Sequence, residues 1–235
     1  MIAATADIHS PKYLPLFSKA LNSLDLNSCE LFIIAGDIVA KGNVGEAKHV
    51  FSLIESKFKG PVIAVFGNED YEELEDKFRA LYPKVVWLNE EYYDVELAVG
   101  KVRVIGSRGA LDKPTTWQRK HIPNILEKYE ERIRKIEELV KQSPYPTILV
   151  THYAPTYATL KGEPVTIWPQ MGTRKLERII KKYRPLAVIH GHAHNGKVLQ
   201  AKVGNVPVYN VSLPAFKKII TIKLKKQDTL TKFFA

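Results

Sequence analysis

Potential metal donors occur where otherwise apolar runs stop abruptly. One run, Ile2-Ala3-Ala4-Thr5-Ala6, ends in Asp7-Ile8-His9; Leu31-Phe32-Ile33-Ile34-Ala35 ends in Gly36-Asp37; Val62-Ile63-Ala64-Val65-Phe66 ends in Gly67-Asn68-Glu69-Asp70. Ile148-Leu149-Val150-Thr151 stops at His152, and Leu186-Ala187-Val188-Ile189 passes through His190 into Gly191-His192-Ala193-His194. Carboxylate oxygens and imidazole nitrogens together suit borderline transition ions better than calcium, and the absence of clustered cysteines argues against a structural zinc knuckle. Taken singly, each aspartate is as well explained as a helix cap and each histidine as a satisfied core residue. Jointly, that explanation needs suitable donors to fall by chance at every one of these strand ends. His190 is read as a buried, hydrogen-bonded histidine, and His49 and His121, among polar neighbours, as surface residues.

Short apolar runs that finish in ligands predict strands whose carboxyl ends build one site. Helical spacing of Leu14, Phe17, Leu21 and Leu24 predicts a helix over 13–24, and Ala47, Val50, Phe51 and Ile54 predict another over 45–57. The resulting β-α-β-α-β alternation implies an α/β fold with largely parallel, buried strands. Further on, 71–81 reads as a helix, 85–88 as a strand, and 92–99 with 102–106 as a hairpin turning at Gly100-Lys101. This change to strand pairs points to a second sheet packed on the first. A stripe of Leu126, Tyr129, Ile133, Ile136 and Val140 predicts a helix over 123–140 with Pro123 in its first turn, docked on the domain, with a homodimer contact left open. The long aperiodic stretch after His152 offers Tyr157, Lys161 and Trp168 as a substrate wall, or else Trp168 simply packs the loop. Asn195-Gly196 signals a hairpin leading into strands near 197–203 and 206–211.

The ordered set Asp7-Ile8-His9, Gly36-Asp37, Gly67-Asn68-Glu69-Asp70, His152 and Gly191-His192-Ala193-His194 resembles the calcineurin-like binuclear metallophosphoesterases. Their pattern reads D-x-H, G-D, G-N-H-D/E, H and G-H-x-H in that order. The resemblance implies a two-sheet α/β sandwich with helices on the outer faces, and two divalent transition-metal ions drawn from manganese, iron, zinc, nickel and cobalt. By resemblance, Asp7, His9, Asp37 and His194 hold one ion, and Asp37, Asn68, His152 and His192 hold the other, with Asp37 as the bridge. Two cations roughly 3.5–4 Å apart can lower the pKa of a shared water, orient a phosphate and stabilise both oxygens of an in-line displacement. The nucleophile is then a bridging hydroxide, and Asp37, Asn68 and Asp70 are the catalytic residues. One departure matters: Glu69 stands where the pattern has histidine. A glutamate beside two cations is a poor acid at neutral pH, so the histidine's protonation of the leaving oxygen does not transfer to it. Arg108, at the end of the run 102–106, is a phosphate contact or a surface arginine beside a turn.

A chain of 235 residues with 45% apolar composition is long enough for one well-cored domain, taken here as 1–235, and no linker-like stretch divides it. No run approaches the ~18 apolar residues of a membrane span. With Cys29 alone and no basic stretch before the first apolar run, the expectation is a soluble, cytoplasmic protein without a cleaved leader. The net charge of +10 favours anionic ligands, although the lysines at 217, 218, 223, 225 and 226 read first as a solvated strand face or tail. Three functions compete. The favoured one is hydrolysis of phosphate esters, phosphodiesters or activated esters above all; the alternatives are a nuclease acting on DNA or RNA and a non-catalytic metal-binding interaction protein. Retention of the full donor set speaks against the last.

Overall fold

Every apolar run that ends in a donor forms a strand. The computed structural model describes residues 1–224, so Lys225 and Lys226 of the C-terminal lysine stretch lie outside the described residues. In chain order the strands are β1 (Ile2–Thr5), β2 (Leu31–Ala35), β3 (Val62–Val65), β4 (Val85–Leu88), β5 (Glu91–Leu97), β6 (Gly100–Ser107), β7 (Thr147–Thr151), β8 (Ala187–His190), β9 (Gln200–Val203), β10 (Val206–Asn210) and β11 (Ile220–Ile222). The helices are α1 (Leu14–Asn22), α2 (Ala47–Lys57), α3 (Glu75–Leu81), α4 (Thr116–His121), α5 (Ile125–Lys141), α6 (Leu176–Tyr183) and α7 (Leu213–Phe216).

Two mixed sheets result. The first has the order β11-β1-β2-β3-β4, with β1 to β4 parallel and β11 antiparallel to β1. The second has the order β5-β6-β7-β8-β10-β9, parallel from β6 through β10 and antiparallel at both edges. Period-two alternation sorts the side chains between layers. Ile2, Ala4, Leu31, Ile33, Ile63 and Val65 of the first sheet meet Val102, Val104, Ile148, Val150 and Ile189 of the second, while Ala3, Phe32, Ile34 and Ala64 face Phe17, Leu21, Val50 and Ile54 of α1 and α2. The outer face of the second sheet, through Ile105, Leu149, Val188 and Val208, takes the stripes of α5 and α6. Both sheets are therefore covered on both faces, which is why their central strands are almost unbroken apolar runs.

Several boundaries differ from the sequence reading. α5 begins at Ile125, after a left-handed Asn124, so Pro123 precedes the helix; Ile125 is buried and Leu126 is 57% exposed. The remainder of the stripe, from Tyr129 to Val140, docks on the second sheet. The β5–β6 hairpin turns at Ala98-Val99, with Leu97 opposite Gly100. The last hairpin turns at Gly204-Asn205, where Val203 pairs with Val206, and Asn195 and Gly196 instead complete a tight turn that begins at Ala193 and is closed by Gly196 N–H to Ala193 O at 3.1 Å. The stretch 71–81 opens with a 3-10 turn at Glu72–Leu74 before α3. The short α4 carries no apolar stripe and was not anticipated; its Thr115–Gln118 capping box defines it.

Candidate metal centre

The carboxyl ends of β1, β2 and β3 from one sheet and of β7 and β8 from the other converge on a single cluster. Donor atoms of Asp7, His9, Asp37 and His194 form one group within coordinating reach of each other, and Asp37, His152 and His192 form a second. Asp37 belongs to both. Its Oδ2 lies 3.5 Å from His9 Nε2 and 3.4 Å from His152 Nε2, while His194 Nε2 lies 3.3 Å from Asp7 Oδ1. Asn68 joins the second group: its Oδ1 is 3.1 Å from His152 Nε2. The residues that the resemblance divides into two sets are thus brought together in space.

The loops carrying these residues are held in costly backbone shapes. Asp7, His9, Asp37 and His192 all have positive φ, at 60°, 42°, 52° and 68°, a left-handed conformation costing of order ~1–3 kcal/mol per non-glycine residue. Strand pairing continued beyond the strand ends over-determines them. Asp7 N–H donates to Gly36 O (3.0 Å), His9 N–H to Asp37 O (2.9 Å) and Ser10 N–H to Ile38 O (2.9 Å). Gly36 itself has φ +88°, and a Cβ there would lie 2.5 Å from His152 Nδ1. The crossing of chains at this point leaves no room for a side chain.

Hydrogen bonds fix which atoms face the cluster. His152 Nδ1 is 3.0 Å from Ala35 O, so this nitrogen carries the proton and Nε2 keeps its lone pair for a metal. Asp7 accepts the backbone N–H of His192 at both oxygens, 3.1 and 2.9 Å, and Asp37 Oδ1 accepts Glu69 N–H at 2.8 Å. Burial pushes the His9 and His152 imidazoles down to about 4 and His192 well below its ordinary value, which keeps them neutral, the form that ligates. Asp7 is pulled the other way: burial would raise it, but His194 and His152 hold it below the usual carboxylate range. His194 is raised in turn, the bond and charge of Asp7 outweighing its burial. Burial, then the neighbouring Asp70 and Asp7, pushes the Asp37 carboxyl well up. Buried carboxylates that repel one another beside neutral imidazoles fit a pair of cations.

Other residues singled out in the sequence take supporting places. Asp70, expected to orient the side chain before it, is buried and accepts the backbone N–H groups of Ile38, Val39 and Gly67 at 3.0–3.2 Å. It stitches the Asp37 loop to the Asn68 loop. Glu69 Oε2 accepts Lys41 N–H at 2.7 Å. Arg108 is not a surface residue: at 5% exposure its guanidinium donates to Gly67 O, to Asp70 O and to Glu75. Trp168 donates Nε1–H to Glu163 O at 3.0 Å and sits against Tyr157, as a residue that packs the loop does. His190 is fully buried, with Nε2 2.8 Å from Thr159 Oγ1 and Nδ1 2.8 Å from Gly191 O. His49 and His121 are exposed.

Two supports escaped the sequence. Glu163, 6% exposed, accepts both the N–H and the side-chain amide of Asn195 and so fixes the turn after His194. Tyr153 lies with ring centroid 5.0 Å from that of His192, its hydroxyl accepting Gln118 Nε2–H at 3.2 Å. Glu163 left no signal, being one polar residue in an aperiodic loop. Arg108 did leave one: a lone charge between buried runs at a strand end implies a paired, interior arginine.

Solved structures share this architecture. A phosphopantetheinyl hydrolase from Mycobacterium tuberculosis superposes with a TM-score of 0.69 at 17% identity, over 90% of this chain and 88% of that one. A Thermus thermophilus protein gives 0.59 at 18% identity, over 91% and 89%, and a dimetal phosphatase from Danio rerio gives 0.59 at 11% identity, over 89% and 86%. Identities this low establish the fold alone. No curated protein matches the sequence significantly. The family model described as calcineurin-like phosphoesterase matches residues 1–196. With most of its length matched and the donors of two metal groups assembled at its strand ends, the chain belongs to the calcineurin-like phosphoesterases, a family that binds two divalent metal ions.

Proposed function

We propose that this protein is a metal-dependent hydrolase of phosphate esters that prefers phosphodiesters and esters with a weakly basic leaving group. The observation that carries the reading is the pair of donor groups sharing Asp37. Bound there, the cations would supply Lewis acidity toward phosphoryl oxygens and toward water. The chain supplies the rest. Asn68, exposed at the mouth, offers its amide to the same space as His152 Nε2, and Asp37 is held by Glu69 N–H with its other oxygen toward both groups. In the Gly67-Asn68-Glu69-Asp70 loop the two carboxyl groups are engaged away from a leaving oxygen, Glu69 by Lys41 N–H and Asp70 by three backbone amides. A leaving group then has to carry its own negative charge, so rate should fall steeply as its basicity rises.

The net charge of +10 favours a nuclease as the second reading. A panel of p-nitrophenyl and alkyl phosphate mono- and diesters with single- and double-stranded oligonucleotides, assayed on manganese-reconstituted protein, separates the two. Aryl diesters cleaved well and alkyl monoesters poorly is the expected result. Preference for oligonucleotides over all small esters would establish the nuclease, and inertness toward every ester would overturn phosphoester hydrolysis.

A further inference from the structure

Arg108 leaves the end of β6, in the second sheet, and reaches across to a loop of the first. Its guanidinium donates to the carbonyls of Gly67 and Asp70 (the latter at 2.7 Å), the two ends of the segment that presents Asn68. It also pairs with Glu75 Oε1 of α3 at 2.6 Å, and Glu75 is held in turn by Asn89 Nδ2 at 3.0 Å. Phe66 lies beneath, its centroid 5.5 Å from the guanidinium carbon. The planar guanidinium spreads its donors over separate nitrogens and so reaches two carbonyls and a carboxylate in a fixed geometry, where a lysine offers a single point-like ammonium. The same segment is tied to the first sheet through Asp70, whose carboxylate takes the N–H groups of Ile38 and Val39, just beyond β2. Asn68 thus stands on a loop clamped from both sheets.

The two metal groups depend on this clamp unequally. Asp7, His9 and His194 come from the ends of β1 and β8 and make no bond to the Gly67–Asp70 segment in the hydrogen-bond network, whereas Asn68 is part of it. Asp37 meets it through Oδ1, to Glu69 N–H, while Oδ2 faces His9 and His152. We propose that Arg108 is a positioning residue that sets the affinity of one cation site, that of Asp37, Asn68, His152 and His192, and leaves the site of Asp7, His9, Asp37 and His194 essentially unchanged. The proposal rests on the binuclear reading of the cluster. Groups that orient metal ligands typically carry ~10–100-fold in affinity when removed.

Stepwise calorimetric titration of chelated, dialysed protein with manganese(II), with elemental analysis after gel filtration, tests this on wild type, Arg108→Lys, Arg108→Met and Glu75→Gln. The expected result is that one of two binding steps weakens by ~10–100-fold in Arg108→Met, by less in Arg108→Lys and Glu75→Gln, and that the other step keeps its wild-type constant. Circular dichroism confirms which variants are folded; if Arg108→Met is not, the two milder variants carry the comparison. Equal weakening of both steps would make Arg108 a general support of the fold, and unchanged steps in a folded variant would make it irrelevant to the metals; either result overturns the proposal. A wild type that binds one ion only would instead refute the binuclear reading itself, an outcome visible before any variant is made.

Discussion

Glu69 is the residue that separates this chain from the pattern it otherwise follows, and its environment explains what it does instead of acid chemistry. Its carboxylate closes the turn at Lys41, a residue with φ of +50°. Glu69→His would give up that bond, worth roughly 0.5–1.5 kcal/mol, and place an imidazole beside the leaving oxygen. General acid catalysis contributes ~10²–10⁴-fold where geometry allows, so Glu69→His should accelerate alkyl esters while aryl esters, needing no acid, change little. Steady-state rates at equal metal content check this; wild type cleaving alkyl and aryl esters equally fast, with the variant merely slower, would contradict it. His190 supports a second prediction, on stability. Burial lowers its imidazole to about 4, below the 6.5 of an unfolded histidine, so between these values the unfolded chain binds the extra proton. The stability it contributes is present above pH 6.5 and disappears as pH falls toward 4, at up to ~1.4 kcal/mol per pH unit. In urea titrations, the stability difference between wild type and His190→Gln should therefore shrink from pH 7 to pH 4.5. A constant difference would mean that His190 is not held neutral. Candidate donors were legible only jointly, from suitable residue types recurring where one apolar run after another stops. The bonds of Glu69 to Lys41, of Asp70 to Ile38 and of Arg108 to Asp70 were not legible, because these partners lie 28, 32 and 38 positions away in the chain and are backbone groups whose approach only the fold determines.

Strands β1 to β4 were legible as short apolar runs, because both faces of their sheet are covered, and α1, α2 and α5 because their buried side chains must satisfy a period of about 3.6. Turns were less so. Gly100-Lys101 and Asn195-Gly196 carry turn-forming residues, yet pairing registers of Leu97 with Gly100 and of Val203 with Val206 place the hairpin turns elsewhere. Propensity at a turn yielded to the alignment of the buried faces. α4 was invisible because six residues with only Gln118 buried give no stripe to read. At the junction of β2 with the centre, Gly36 is required on two grounds, its φ of +88° and the lack of space against His152. Gly36→Ala should therefore destabilise the fold by ~1–3 kcal/mol and displace the His152 imidazole, weakening manganese binding beyond what the stability loss explains. Denaturant unfolding paired with metal titration reads both effects, and wild-type metal affinity in the variant would refute the crowding argument.

Two sheets, each covered on both faces, bring together at the carboxyl ends of their inner strands a set of candidate donors that neither could assemble alone: β1, β2 and β3 bring Asp7, His9, Asp37 and Asn68, and β7 and β8 bring His152, His192 and His194. Ions bound between them should hold the halves of the sandwich together, so metal raises stability by mass action and chelation lowers it. Among the described residues no helix is long and apolar enough to cross a membrane. At the centre of the whole molecule one carboxylate, Asp37, belongs to both donor groups and would serve two cations. Elemental analysis of chelated protein reconstituted with manganese, zinc or nickel, gel-filtered and compared with Asp37→Asn, decides it. Two ions per wild-type chain, with occupancy falling to one or none and hydrolysis abolished in a folded Asp37→Asn, is the predicted result; a wild-type stoichiometry that never exceeds one, or full occupancy and turnover in Asp37→Asn, would contradict it.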